Sequence, residues 1–255
     1  MRLWNHRSRR GRWPSELLLV RHGESAGNVA RDRAEAEGLP GIDIAERDMD
    51  VPLSPLGEEQ ARALGRWLAE RRPRPTVVLA SPYVRARQTA ELAVAEGGLG
   101  IPVVLDERLR EREFGLLDRL TRTGIIERFP EQAELRARVG KFYHRPPGGE
   151  SWCDVGLRVR SALDSISRAH RGERVVLVAH QVVIHMFRYV LEGLTESEVL
   201  ALSRSRDLAN CSVTSFHADA RRPDGMALVG VDEVGAMVQE AAPVSREPDV
   251  PVGPR

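Results

Sequence analysis

Residues 17–28 have the sequence LLLVRHGESAGN, in which four apolar residues lead directly into charged and small ones. A short apolar run without polar alternation is typical of a strand covered on both faces, as in a parallel sheet. Comparable runs recur along the chain. They predict strands at residues 16–20, 76–80, 101–105, 174–179 and 211–217, with an edge strand at 226–231.

Longer helical patterns separate these runs, at residues 55–71, 82–95, 155–170 and 181–191. Ser54 and Ser81 each precede a proline, which predicts a serine N-cap followed by proline in the first helical position. The alternation predicts an α/β fold with helical layers around a mostly parallel sheet. Residues 121–145 have helical character but are strongly basic, and we expect them to belong to an insertion over the site, at about residues 116–148.

The charge of the chain is unevenly placed. Its 255 residues include 38 basic and 37 acidic side chains, and all but one of the basic residues are arginines. Five of these arginines fall in residues 1–13, which contain no acidic residue. The rest of the chain therefore has 33 basic and 37 acidic residues and a small negative net charge. A basic face for nucleic acid is therefore not expected. The apolar runs are far shorter than the roughly 20 residues of a membrane span, so no membrane partner is expected.

One domain, residues 14–238, is predicted between two tails. Residues 1–13 lack the apolar core of a secretory signal and are expected to form a disordered leader. Residues 239–255 are proline-rich and are expected to form a flexible tail. Cys153 and Cys211 are too few for a disulfide framework and lack metal-site spacing, which favours a cytoplasmic setting.

Charged side chains follow four of the predicted strands. In chain order these are Arg21 and His22, Arg85, Glu111, and His180. Because the carboxyl ends of parallel strands meet at one edge of a sheet, we expect these groups to lie close together. Paired guanidinium groups hold phosphate oxygens, a neutral imidazole attacks phosphorus, and a carboxylic acid protonates a leaving alkoxide. With no Walker loop or magnesium-binding carboxylate cluster, the set predicts phosphoryl transfer through histidine without metal or cofactor.

The motifs resemble those of the histidine phosphatase superfamily, in the branch that contains phosphoglycerate mutase and fructose-2,6-bisphosphatase. The resemblance covers about residues 17–216 and implies a single three-layer α/β/α sandwich of the phosphoglycerate mutase type. Besides LLLVRHGESAGN, the matching motifs are DVPLSPLGEEQA from Asp50, SPYVRARQTA from Ser81, LREREFG from Leu109, GGESWCD from Gly148 and VVLVAHQ from Val175.

The resemblance also implies roles for individual residues. His22 would be the nucleophile that becomes phosphohistidine. Arg21, Arg85 and Asn28 would hold the phosphoryl oxygens. His180 would stabilise the charge that develops during transfer, in the manner of an oxyanion hole.

The proton donor implied by the resemblance is Glu111, which would later activate water, with Glu113 as a less suitable rival. Two positions depart from the family pattern. Gln181 stands where glycine is common, and since His-Gln occurs in the bisphosphatase branch, it favours that branch and is expected to contact substrate. His185 replaces a frequent arginine and is expected to be a buried helix residue.

The implied function is that of a metal-independent phosphomonoesterase acting through phosphohistidine on a small phosphorylated metabolite, as a monomer or homodimer. His180 lies 69 positions after Glu111, a separation that suits the phosphatases better than the mutases, whose intervening segment is longer. Lys141, Tyr143 and Arg145 of the basic insertion are expected to contact a second anionic group. The alternatives are a phosphoglycerate mutase and a non-catalytic relative that binds a phospholigand or a protein.

Overall fold

A six-stranded sheet is the centre of the part of the chain that the computed structural model describes, residues 13–205, 207–222 and 225–246. Its strands are β1 (Glu16–Arg21), β2 (Val77–Ala80), β3 (Val103–Leu105), β4 (Arg174–Ala179), β5 (Val213–Ala218) and β6 (Met226–Glu233). Their order is β3-β2-β4-β1-β5-β6. The first four are mutually parallel, while β5 and β6 are antiparallel additions. The predicted mostly parallel sheet with β6 at its edge is confirmed.

Nine α-helices are found within those described ranges. They are α1 (Ala26–Ala36), α2 (Pro55–Glu70), α3 (Val84–Glu96), α4 (Arg122–Arg128), α5 (Pro130–Val139), α6 (Trp152–Ala169), α7 (Gln181–Glu192), α8 (Glu196–Ser205) and α9 (Gly235–Gln239). Three short 3₁₀ helices lie at Asp48–Asp50, Glu107–Leu109 and Gly115–Leu117. None of the described helices has the length and apolarity required to cross a membrane.

Each face of the sheet has its own core, which produces the three layers. Along β1, Leu17 and Leu19 pack with α6, α7 and α8, while Leu18 and Val20 pack with α2, α3 and α9. Successive strand residues point to opposite faces, so a strand between two helical layers must be apolar at every position. This explains the uninterrupted apolar run from which the fold was predicted.

One of the two predicted serine caps is wrong. Ser54 caps α2 as expected, accepting the Gly57 N–H at 3.0 Å. Helix α3 begins at Val84 instead of residue 82, and Ser81 does not cap it. The Ser81 hydroxyl instead lies 2.9 Å from a ring nitrogen of His180, so a contact between neighbouring strand ends replaces the local cap.

The helical character predicted for residues 121–145 is present as α4 and α5. This region pairs with the segment before the first 3₁₀ helix, where Gly41 and Leu120 form an antiparallel bridge. A Cβ on Gly124 would lie 1.7 Å from the Pro40 carbonyl oxygen, so glycine is required for this approach. The two segments together form one rim above the sheet edge.

The predicted leader lies outside the described residues except for Trp13. The prediction of a flexible tail from residue 239 needs correction for its first part. Ala242 is buried, and the Ser245 carbonyl accepts the Asn210 N–H at 3.0 Å. Residues up to 246 therefore pack against the domain, and those from 247 onward lie outside the described residues.

Candidate active site

The order of the strands brings the two candidate histidines together. Strands β1 and β4 are parallel neighbours, and Arg21 pairs in register with Ala179. The next residue on each strand is a histidine, so His22 and His180 emerge side by side, with ring centroids 5.0 Å apart. Strand β2 lies on the other side of β4, which places Ser81 beside His180.

Three helices begin where these strands end. Helix α1 starts shortly after β1, α3 after β2, and α7 directly after β4 with His180 as its N-cap. The first N–H groups of a helix and the positive end of its dipole both favour an anion. The backbone therefore adds to the positive potential of the arginines at this edge.

His22 is held in one tautomer. Its Nδ1 lies 2.7 Å from the Gly23 carbonyl oxygen, and since a carbonyl only accepts, Nδ1 carries the proton. Nε2 therefore has the free lone pair. Burial lowers the pKa of His22 well below 6.5, and the nearby Arg85 and Arg21 lower it further. The imidazole is neutral at pH 7 and is competent as a nucleophile.

The loop that carries His22 is fixed by close backbone packing. A Cβ on Gly23 would lie 2.6 Å from the Gly57 carbonyl oxygen, so no larger residue fits there. The Gly23 N–H donates to Thr89 Oγ1 at 3.0 Å, and the Glu24 carboxylate accepts the Ser54 hydroxyl at 2.7 Å. Glu24 of the RHGE motif therefore has a structural role, because its hydrogen bond with Ser54 connects the loop to the start of α2.

His180 lies behind His22 and is not part of the cavity wall. The Ser81 hydroxyl accepts the Tyr83 N–H at 3.3 Å and lies 2.9 Å from His180 Nε2. We assign the hydroxyl proton to the bond with Nε2, which leaves the ring proton on Nδ1. Nδ1 has no hydrogen-bond partner among the described residues, so it is the atom that can donate to a phosphoryl group on His22.

Both arginines predicted to hold phosphate lie at the site. Arg21 Nη1 donates to the Leu208 carbonyl. Arg85 Nη1 donates to the Asp48 carbonyl at 2.5 Å and lies 3.1 Å from the Asp48 carboxylate. Asp48 thus engages the guanidinium that the phosphoryl oxygens would use.

Glu111 lines the cavity in a state suited to proton transfer. Burial raises its pKa to about 7, with Asp48 adding to the rise, although the Arg112 N–H donates to Glu111 Oε1 at 2.7 Å. Glu113, its rival, accepts the Tyr83 hydroxyl at 2.5 Å and is outside the cavity wall. The geometry therefore favours Glu111 as the proton donor.

Arg21, His22, Arg85 and Glu111 line a cavity of about 100 Å³. Its wall also includes apolar side chains, among them Ile42, Ile44 and Phe114. The charged residues of the wall are Arg21, Arg31, Asp48, Arg85, Glu111, Asp118 and Arg119. The balance of four arginines against three carboxyl groups, one of them with a pKa near 7, suits a phosphate anion.

Asn28 lines the same cavity from the first turn of α1. Its side-chain oxygen accepts the Ser25 N–H at 2.8 Å, and Ser25 Oγ accepts the Asn28 N–H at 3.1 Å. This reciprocal capping box fixes the amide. Because the oxygen is committed to Ser25, the group that Asn28 can offer an anion is its amide nitrogen.

The two departures from the family pattern have different environments. Gln181 lines the cavity, but its amide donates to the Asp207 carboxylate at 3.0 Å and accepts the Leu208 N–H at 3.1 Å. Both ends of this amide therefore hold the loop that binds Arg21. His185 is buried and stacks on Trp152, with centroids 6.1 Å apart, as expected of a helix histidine in the core.

Lys141, Tyr143 and Arg145 are not in the wall of this cavity, and their contacts with substrate stay a prediction. Lys141 Nζ donates to Ser203 Oγ at 2.9 Å. Tyr143 bonds to a glutamate at the start of α8, and Arg145 Nε donates at 2.7 Å to an aspartate in the first turn of α6. Their charge and hydrogen bonds fasten the insertion to neighbouring helices.

Other residues of the wall are absent from the sequence-based site. Arg31 could have been found, since it lies three positions after Asn28 on α1 and so shares its face. Asp48 begins a short 3₁₀ helix and Arg119 lies between two helices, and neither belongs to a recognisable motif. Arg119 has a backbone φ of 56°, a conformation that non-glycine residues adopt rarely, and lines the cavity.

An Asp48→Asn substitution should strengthen the binding of inorganic phosphate, because the phosphate no longer competes with a carboxylate for Arg85. We expect an inhibition constant about 3- to 10-fold lower, as for a partly exposed ion pair. The pKa of Glu111 should also fall, since Asp48 raises it. Inhibition by phosphate and the pH profile of turnover measure both effects.

The matched control is Asp50→Asn, which removes a carboxylate from the same 3₁₀ helix that pairs only with the exposed Arg47 among the described contacts, at 2.6 Å. Unchanged or weaker phosphate binding by Asp48→Asn would show that Asp48 positions Arg85 for phosphate and does not compete for it.

The chain is also similar in sequence to known proteins. The chain matches the sequence profile described as "Histidine phosphatase superfamily (branch 1)" over residues 17–229. A 2,3-bisphosphoglycerate-dependent phosphoglycerate mutase of Methylobacterium radiotolerans is 34% identical over 186 residues, which are 72% of this chain and 82% of that protein.

A second relative is much longer than this chain. "Bifunctional protein Rv2228c" of Mycobacterium tuberculosis is 34% identical over 206 residues, which are 81% of this chain and 51% of that protein. The chain thus spans about half the length of this relative and of two further mycobacterial proteins that match it with the same identity and coverage.

A solved structure shows the same fold. Mycobacterial glucosyl-3-phosphoglycerate phosphatase Rv2419c in complex with VO3 superposes with a TM-score of 0.65 at 27% identity, covering 85% of this chain and 98% of that one. The predicted three-layer fold of the phosphoglycerate mutase type is confirmed.

Proposed function

Because the chain belongs to the histidine phosphatase superfamily, we propose that it is a phosphomonoesterase that passes the phosphoryl group of a small phosphorylated metabolite to His22 and then to water, without a metal ion. The observation that supports this proposal most directly is the pair of protonation states of His22 and Glu111 at one site. His22 is neutral with its lone pair on Nε2, and Glu111 has a pKa of about 7 in the same cavity wall.

In the first step, His22 Nε2 attacks phosphorus and the bond from phosphorus to the ester oxygen breaks. Arg21 and Arg85 hold the equatorial oxygens, and His180 Nδ1 donates a further hydrogen bond. The carboxylic acid of Glu111 gives its proton to the departing alkoxide. The products are phosphohistidine, the free alcohol and a Glu111 carboxylate.

In the second step, the Glu111 carboxylate takes a proton from water as that water attacks phosphorus. The N–P bond breaks and its electron pair returns to His22 Nε2. Inorganic phosphate leaves, and Glu111 is again a carboxylic acid. The proton that it gave to the alkoxide in the first step has been replaced by one from water.

The contacts of the basic insertion favour hydrolysis over the mutase reaction. A mutase must hold an acceptor beside phosphohistidine and exclude water until the phosphoryl group returns. The side chains expected to hold such an acceptor, Lys141, Tyr143 and Arg145, are engaged with α6 and α8. The mutase remains the second candidate, since a mutase from Methylobacterium radiotolerans is 34% identical to this chain.

The experiment that tests the proposal is turnover of ³²P-labelled phosphomonoesters by the full chain in the presence of EDTA. We expect release of inorganic phosphate and an acid-labile, base-stable phosphoprotein intermediate. In parallel, 3-phosphoglycerate with 2,3-bisphosphoglycerate is tested for isomerisation.

Isomerisation faster than phosphate release would make the protein a mutase. Loss of activity in EDTA, restored by a divalent metal, would contradict the metal-free mechanism. Binding of phosphomonoesters without turnover of any of them would favour a non-catalytic relative.

A further inference from the structure

The segment 242–246, which we call the C-terminal clamp, lies beyond residue 229, where the match to the family profile ends. It follows α9 and packs beside the catalytic loop. Ala242 is buried in the core shared by α2 and α3, and Pro243 accepts a hydrogen bond from Gln60 at 2.9 Å. The clamp is therefore an integral part of the domain.

A continuous relay of hydrogen bonds joins the clamp to the His22 carbonyl and to the Glu24 N–H. The Glu24 N–H donates to Gln60 Oε1 at 2.9 Å, and Gln60 Nε2 donates to Ser245 Oγ at 2.9 Å. The Ser245 hydroxyl donates to Asn210 Oδ1 at 3.1 Å, and Asn210 Nδ2 donates to the His22 carbonyl at 3.1 Å. Ser245 is the junction between the two amides.

The direction of donation is the same at every step of the relay. Gln60 must present its oxygen to Glu24 and its nitrogen to Ser245, and Asn210 must present its nitrogen to His22. Gln60 is 0% exposed and Asn210 is 1% exposed, so water cannot replace a missing partner readily. A hydroxyl at residue 245, which accepts and donates at once, fixes both amides in these orientations.

A second arm of the clamp reaches the loop that binds Arg21. Arg246 Nη1 donates at 2.6 Å to the carboxylate of Asp232, whose side chain is 0% exposed. The other oxygen of that carboxylate accepts the Ala209 N–H at 2.6 Å. The preceding residue is Leu208, whose carbonyl accepts Arg21.

We propose that the C-terminal clamp is a positioning element for catalysis: Ser245 sets the backbone of His22 and Glu24, and Arg246 sets the loop that orients Arg21. The inference rests on the proposed function for its catalytic readout. Ser245 and Arg246 touch no reacting atom and act through Asn210, Gln60 and Asp232.

The test compares Ser245→Ala with Ser245→Thr in the full chain. Loss of the hydroxyl should lower kcat about 10-fold, as expected for two hydrogen bonds and a displaced nucleophile, with KM within about twofold. Ser245→Thr retains a hydroxyl and should recover most of kcat. Arg246→Lys, which keeps Asp232 paired, should instead raise the inhibition constant of inorganic phosphate about 3-fold through Arg21.

The matched control is Glu240→Gln, which breaks the contact of Glu240 with Arg66 on α2 and reaches neither loop. It should lower the melting temperature without changing kcat. The ring resonances of His22, measured by ¹⁵N NMR without substrate, should shift or broaden in Ser245→Ala and stay unchanged in the control.

This NMR readout does not depend on turnover, so it separates failure of the clamp from failure of the proposed function. Wild-type kcat and His22 resonances in a folded Ser245→Ala protein would overturn the proposal. If Ser245→Ala does not fold, inhibition of Arg246→Lys by phosphate that equals inhibition of the wild type would overturn it.

Discussion

His22→Ala is expected to lower kcat by about 10⁴-fold or more, the scale of losing a covalent nucleophile. The neutral Nε2 of His22 is the attacking atom, and alanine offers no group that can accept the phosphoryl. Labelled substrate should then give no acid-labile phosphoprotein. Steady-state turnover and a quench after one turnover measure both losses.

The control for this variant is His217→Gln, which removes a histidine at the far end of β5. His217 is half exposed and contacts only Glu16 among the described contacts, at 3.2 Å. It should retain both turnover and labelling. A His22→Ala protein that kept a tenth of wild-type kcat would contradict a phosphohistidine route.

Glu111→Gln is expected to lower kcat/KM by about 10²- to 10⁴-fold for alkyl phosphates, the range of general acid catalysis. Glutamine fills the site but cannot protonate an alkoxide. p-Nitrophenyl phosphate should lose far less, because nitrophenolate leaves without a proton. The ratio of the two losses isolates proton donation from a general disturbance of the site.

The pH profile of kcat/KM follows from the same carboxyl group. Burial raises the pKa of Glu111 to about 7, so its acid form is present below that pH and kcat/KM should fall above it. Burial and the arginines hold the pKa of His22 well below 6.5, so the nucleophile stays neutral in mild acid. The optimum should therefore lie on the acid side of pH 7.

Glu111→Gln should abolish the alkaline decline for alkyl phosphates, whereas Glu113→Gln should retain it. A decline above pH 7 that persists in Glu111→Gln would assign the proton donor to another residue.

The parts of the site that sequence predicted are those fixed by strands. The apolar run from Leu17 to Val20 predicts a doubly buried strand with Arg21 and His22 at its carboxyl end, and the same holds for His180 after β4. Parallel pairing then brings these ends together. Local apolar runs predict the strands, and the geometry of a parallel sheet brings the residues that follow them to one edge.

The contacts of long side chains could not be read from local sequence. The basic insertion suggested substrate binding by Lys141, Tyr143 and Arg145, but each meets a closer partner on α6 or α8. A charged side chain can reach many positions, so its partner depends on which helices pack nearby. Asp48, at the start of a short 3₁₀ helix, contacts Arg85 only because the chain folds this segment over the sheet edge.

The sequence by itself determined the layers, the strand ends and the grouping of His22, His180, Arg21 and Arg85. Tertiary structure alone decided that Ser81 hydrogen-bonds to His180 and that Asp48 pairs with Arg85. It also decided that Ser245 connects to the His22 carbonyl through Asn210. The physical reason is the range of the interactions involved. Strand and helix periodicity acts between near neighbours in the chain, whereas Ser245 lies more than 200 positions after His22 and meets it only in the folded chain.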